Sequence, residues 1–296
     1  MTGHYIDRDW ELKNLMIDVV KLSGSHSSQN LLSMFNKITD DEFKILTKIM
    51  AVTTDNASNN DTFLHLLGDY CDKLGIDFKY PDKHIHCMAH IINLSVQVLL
   101  KGLKSEATNT EVELLQNCDD DHEDASTGNV IFKLQKLFVK IYASPLKCEI
   151  FKNLLKQLEM DSAMLIIDVP TRWNSTYLML EHALQLKTAL NCIASEESDL
   201  RWYALDLDNN WVVIERVMKI LKFFDEATNE LSSQTFLTLS SAMPAFNYLI
   251  DALEKLVTDK TYCHDAHSIQ NALDKLKEYY SGTDANVYWL ATMLDP

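Results

Sequence analysis

Glycine is scarce in this chain, seven in 296 residues, and no Gly-rich phosphate-binding loop is formed from them. Gly-x-Ser-x-Gly and His-Glu-x-x-His are both missing, so nucleotide-binding and hydrolase readings have no motif to rest on. Long apolar runs are missing too: none approaches the roughly 20 residues that span a bilayer. The start, Met1-Thr2-Gly3-His4, lacks a cationic and apolar leader, and a soluble intracellular protein with no membrane partner is expected. The six cysteines (Cys71, Cys87, Cys118, Cys148, Cys192, Cys263) have no paired spacing in a chain too long to need covalent staples, which predicts reduced thiols. Basic residues are outnumbered, 27 against 43 acidic ones, and the net charge of -16 opposes non-specific attraction to nucleic acid. Any DNA contact must use a local patch or a domain outside this chain.

What is present suits a globular protein: 47% hydrophobic and 24% charged residues. From Met1 to about Lys104 the pattern is α/β. His4 to Asp7 and Leu12 to Val20 read as a hairpin, the second strand alternating Leu15, Ile17 and Val19 against Met16 and Asp18. Asn30 to Phe35 reads as a helix behind hydroxyl caps, and Lys48 to Thr53 as a buried strand ending at Asp55. A helix from Thr62 to Leu74, capped by Asp61 and ended by Gly75, is followed by a short strand, His84 to Cys87, and a helix from Ala89 to Leu103.

Residues 105–128, with Glu106, Glu111, Glu113 and the run Asp119 to Asp124, read as an acidic solvated linker, with a metal-binding or docking role as the alternative. Beyond it, residues 129–296 show helical period throughout, as in Ile131, Leu134, Phe138 and Ile141, or Trp211, Ile214, Met218 and Leu221. No repeat of fixed length links these helices, so a solenoid is not supported. The predicted class is α/β followed by all-α.

Several residues can carry chemistry. Asp55 stands where an apolar strand meets an Asn-rich turn, the edge at which open α/β folds place ligands; its alternative is an Asx turn capping Ala57 or Ser58. Cys87 and His90, with His84 and His86 beside them, have zinc-ligand chemistry but no second pair at a distance, so a structural role is the other reading. Arg172 and Trp173, at the start of a predicted helix behind Pro170 and Thr171, suit phosphate clamping and base stacking; otherwise Trp173 is core and Arg172 pairs with a residue such as Glu181. Asp168 reads as a helix cap or a partner of Arg172, while Trp202 and Trp211 read as core.

Three segments, Thr53-Thr54-Asp55-Asn56-Ala57-Ser58-Asn59-Asn60, His86-Cys87-Met88-Ala89-His90 and Asp168-Val169-Pro170-Thr171-Arg172-Trp173-Asn174-Ser175-Thr176-Tyr177, resemble in their order the catalytic region of hAT-superfamily transposases, including the BED zinc-finger and RICESLEEPER-like proteins. The resemblance implies a partial ribonuclease-H-like mixed sheet over residues 1–104 and a helical insertion domain over 129–296, incomplete at its C-terminus. It makes Asp55 the second ligand of an Asp, Asp, Glu triad that holds two Mg²⁺ or Mn²⁺ ions about 4 Å apart. It makes Cys87 and His90 a structural element, and Arg172 and Trp173 a contact to a flipped base in DNA. Asp7 belongs to a later strand and does not serve as the first Asp. The first Asp would precede this chain and the Glu would follow it. The chain is therefore expected to be a fragment or remnant that needs no cofactor, does not cut DNA alone, binds DNA weakly, and works in the nucleus. Dimerisation would use segments outside it. A protein-protein interaction module with no DNA role is the alternative.

Overall fold

The structure is a computed structural model, and it describes residues 1–21, 25, 27–114, 127–160, 165–169, 172–205, 209–232, 239–280 and 286–294. The acidic run Asp119 to Asp124, Cys118, Pro170 and Thr171 lie outside the described residues. Two compact units are formed, one of residues 1–90 with 285–290, the other of residues 91–284 with 291–296. The chain passes from the first unit to the second after His90, within the helix expected from Ala89 to Leu103. From Ile91 onward the helix gives its apolar face, Ile91, Val96, Leu99 and Leu103, to the second unit's core.

In the first unit, β1 (Thr2–Ile6) and β2 (Leu12–Met16) pair antiparallel, with Thr2 opposite Met16 and Ile6 opposite Leu12. Asp7 organises their turn: one carboxylate oxygen accepts the N–H groups of Asp9 at 2.9 Å and Glu11 at 3.0 Å. β2 stops at Met16 rather than Val20, and its alternation buries no face: Leu15, Met16 and Val19 are all exposed. Alternation prepares a strand for burial, and burial follows only where another layer covers it.

α1 (Ser28–Asn36) is capped by Ser27, whose hydroxyl accepts from the Asn30 N–H, and a widened turn, Lys37–Glu42, follows it. The expected strand at Lys48 is preceded by a single tight turn, Leu46–Lys48, and pairing begins only at β3 (Val52–Thr54). α2 (Ser58–Lys73) starts four residues before Thr62 was expected to start it, which puts Asp61 inside the first turn instead of at the cap. β4 (His84–His86) lies parallel to β3, with Val52 opposite His84 and Thr54 opposite His86. The strands thus form two separate ladders, β1 with β2 and β3 with β4. The core beneath the second ladder is Leu46, Phe63, Leu64, Leu67, Cys71 and Phe78, with Phe35 edge-on to Phe63 at 5.4 Å between ring centroids.

α3 (Met88–Leu114) runs ten residues into the segment read as a linker. Ser105 to Leu114 contains no Gly or Pro, and its Glu, Ala and Leu residues favour helix, so acidity alone does not end the element. The remaining helices are α4 (Thr127–Ala143), α5 (Pro145–Gln157), α6 (Trp173–Gln185), α7 (Lys187–Glu196), α8 (Asn210–Leu231), α9 (Leu239–Thr258), α10 (Ala266–Tyr280) and α11 (Asn286–Leu294). α8 is packed by α4, α6 and α9, and it buries Trp211, Ile214, Val217, Leu221 and Phe224. The period-derived positions Ile131, Leu134, Phe138 and Ile141 are likewise buried, as are Leu249, Leu253, Ile269, Leu273 and Leu276. An ion pair is sunk among these helices: Arg216 Nε donates to fully buried Asp265 at 2.5 Å.

Gly102 marks a close approach of α3 to α10, because a Cβ placed on it would lie 2.5 Å from Ser268 Oγ and 3.0 Å from Ser268 Cβ. Gly102→Val should therefore cost about 1–3 kcal/mol in urea unfolding, through overpacking. Adding Ser268→Gly should restore part of that loss. An unchanged midpoint in the single variant would mean that the two helices re-space freely.

Candidate functional site

The sequence-predicted residues fall into both units. In the first, the parallel ladder ends at Thr54 and His86, and the Cys87 N–H extends it by donating to the Thr54 carbonyl at 2.8 Å. Asp55 therefore emerges at the strand's end beside Cys87, and it is exposed. Its Oδ1 accepts from the Ala57 N–H at 3.2 Å and from the Asn60 side-chain amide at 2.5 Å. The first of these closes an Asx turn, which brings the chain round into α2. The Asx-turn and strand-end readings of Asp55 are thus compatible in geometry.

Cys87 is a half-buried free thiol, not a sealed core residue, and the His90 backbone N–H donates to its carbonyl at 3.0 Å in the first turn of α3. The neighbouring histidines are more closely engaged. His84 is 3% exposed, with Nε2 2.9 Å from Thr54 Oγ1, and its ring centroid lies 4.2 Å from that of His86. Burial, helped by His86 and opposed by Asp61, pushes the His84 pKa down to about 4. His86 is lowered by burial as well, and its Nδ1 lies 3.0 Å from Asn56 Oδ1. One ligand atom from each of Asp61, His84 and His86 lies within 4.8 Å of the other two.

This grouping was not anticipated, since Asp61 was read as a cap and the histidines only as neighbours of Cys87. The available signal was the His-x-His pattern in a strand, which puts both rings on one face. The residues fit the family's two-ion carboxylate site poorly. Among the described residues no three carboxylates come together, and Asp55 is outside the one three-ligand group.

In the helical unit, Arg172 is the N-cap of α6, in an extended conformation (φ -128°, ψ 99°) and exposed. Among the described residues its guanidinium forms no ion pair, and Glu181 and Asp168 are not its partners. Asp168 instead accepts from the hydroxyls of Ser175 at 2.8 Å and Thr176 at 2.7 Å, and from the Gln135 amide, so it ties the segment before α6 to that helix's first turn and to α4. Trp173, the first residue of α6, is 2% exposed and packs against Tyr177 and, edge-on at 6.4 Å, against Phe224 of α8. A ring enclosed in this way offers no face for a base, which corrects the expected stacking role. Trp202 is corrected in the opposite direction. It lies in a single tight turn, Arg201–Tyr203, none of whose residues is fully buried, and it is 59% exposed, whereas Trp211 is fully buried as expected.

Trp173→Ala should accordingly lower the stability of the helical unit by about 3–5 kcal/mol, as a large-to-small core change does. Trp173→Phe should lose far less. Thermal unfolding followed by circular dichroism distinguishes the cases, and an unchanged midpoint in Trp173→Ala would contradict a core role.

Comparison with known proteins accounts for this arrangement. Residues 1–75 match the family model of the ZBED1 RNase-like domain, and residues 85–220 match that of the ZBED1 RNase-like helical domain. Over its whole length the chain is 32% identical to a Talaromyces stipitatus protein named as the transcriptional regulator tpeD, covering 33% of it. It is 27% identical, again over its whole length, to a Zea mays protein named as an AC transposase, covering 34% of it. Over 86% of its length it is 27% identical to the zinc finger BED domain-containing protein RICESLEEPER 2 of Oryza sativa subsp. japonica, covering 31% of that protein. The chain thus spans about a third of the length of these relatives. With an RNase-like part followed by a helical part, and with these relatives, the chain belongs to the hAT-type transposase-related proteins.

Proposed function

We propose that this chain is the DNA-contacting portion of a transposase-derived nuclear protein, that it binds DNA through Arg172, and that it does not cut DNA by itself. The observation that carries the reading is the pairing of an exposed guanidinium, without an ion pair among the described residues, with a buried neighbour: Trp173 and Asp168 fix the first turn of α6, and Arg172 projects from its cap. A planar donor on an acidic protein suits a phosphate oxygen, and the net charge of -16 opposes non-specific contacts. The maize relative's name, AC transposase, supports DNA as the ligand class. Inability to cut is supported by Asp55 standing outside the three-ligand group, since two-ion cleavage needs several hard oxygen ligands at one place. The docking alternative is favoured by the charge of -16 and by the exposed apolar side chains of the hairpin, Trp10 at 88% and Met16 at 69%.

Fluorescence anisotropy with a duplex carrying an unpaired base tests the proposal. Binding should weaken with salt, and Arg172→Glu should reduce it and lower the salt slope by about 1, with thermal stability unchanged. Binding that is absent, or indifferent to Arg172→Glu, would overturn the DNA reading. Mg²⁺- or Mn²⁺-dependent nicking abolished by Asp55→Ala would overturn the other half.

A further inference from the structure

We propose that Asp61, His84 and His86 form a binding site for one divalent transition-metal ion of the Zn²⁺ class, separate from Asp55 and from the Cys87 and His90 pair. The argument begins with a buried mismatch. Thr54 Oγ1 lies 3.1 Å from the Asp55 carbonyl and 2.9 Å from His84 Nε2; where the hydroxyl donates to the carbonyl, it accepts from His84 Nε2–H. In that tautomer Nδ1 of His84 is a bare lone pair. Nδ1 faces Asp61 Oδ1 at 3.8 Å, too far for a hydrogen bond, and both atoms are buried without a hydrogen-bond partner. Buried polar atoms left without a hydrogen-bond partner are destabilising, and in this tautomer two acceptors are directed at one another. A cation between them removes both deficits.

His86 completes the set. It stands two residues from His84 on the same face of β4 and brings a ligand atom within 4.8 Å of both others. Its Nδ1 is engaged by Asn56 Oδ1, so both imidazoles carry the outer-shell partner that metal-bound histidines characteristically have: Thr54 for His84 and Asn56 for His86. Ligand bonds of about 2.0–2.2 Å set ligand atoms roughly 3.5 Å apart around a tetrahedral ion, so small side-chain rotations close the site. Two nitrogens and one carboxylate select the metal class. Mg²⁺ and Ca²⁺ take oxygen ligands, whereas imidazole suits Zn²⁺ and its transition-metal neighbours. The ion would join β4 to the first turn of α2, and through Thr54 it would also support the end of β3. With three protein ligands, a fourth position remains for water.

The test uses the whole chain, purified, stripped with a chelator and titrated with Zn²⁺ against a chromogenic competitor. One equivalent should bind, and the unfolding temperature should rise with free Zn²⁺. Co²⁺ substitution should give the intense visible bands of a tetrahedral site. Asp61→Asn keeps the shape of a partly exposed side chain, and it should weaken Zn²⁺ binding by more than the about 10–100-fold that loss of an outer-shell partner costs. His86→Gln serves as the second ligand variant should the Asp61 substitution alter folding. Cys87→Ser and Asp55→Asn should leave binding unchanged. Absence of Zn²⁺ binding, binding equal for Zn²⁺ and Mg²⁺, or binding lost in Cys87→Ser and kept in Asp61→Asn would each overturn the proposal.

Discussion

The parallel pairing of two three-residue strands governs the first unit. β3 and β4 are too short to hold a sheet by their own ladder, and their register survives because α2 crosses between them and buries Phe63, Leu64, Leu67 and Cys71 against Leu46 and Phe78. From that register the chemistry of the unit follows. Thr54 meets His84, Asn56 meets His86, and Asp55 is delivered to the strand's end. The polar groups gathered there come from segments about 30 residues apart, and the strand register, held by the packing of α2, brings them together.

The helical unit holds its polar groups differently, in the buried Arg216 and Asp265 pair and in the Asp168 network. Its order comes from α8, which is packed by three other helices, and from the junction before α6, where a carboxylate, two hydroxyls and an amide lock a short connection. Asp168 consequently reads as an architectural acid. Its oxygens are committed to Gln135, Ser175 and Thr176, and the guanidinium beside it stays available to solvent. Position, more than residue type, separates the two members of the Arg172 and Trp173 pair: one points out from the cap, the other inward from the first turn.

Much of this was legible in the sequence, and the exceptions share a physical reason. Helical period identified the buried faces of α4, α8, α9 and α10, because those helices have neighbours to cover them. The same kind of pattern misled at β2, where alternating Leu15 and Val19 found no covering layer. Charge misled at Ser105 to Leu114, since repulsion between side chains does not override good helix propensity. Aromatic identity could not tell Trp173 from Trp202, because burial depends on which element carries the ring and which way it faces. The group of Asp61, His84 and His86 was hidden for a related reason: its members belong to one strand and one helix start, and only the tertiary register makes them neighbours. The order of motifs along the chain, by contrast, was enough to identify the family.

The separation of β3 from β4 has a kinetic side. Thr54 and His84 are 30 residues apart, so neither strand gains its partner until the intervening crossover has been closed and α2 has formed on its core. Contacts of this range raise the contact order of the unit and slow its search. The hairpin of β1 and β2, whose register closes over a five-residue turn, can form early and alone. Whatever stabilises the Thr54, Asn56, His84 and His86 region thus acts on a long-range closure of this unit and not on its local contacts.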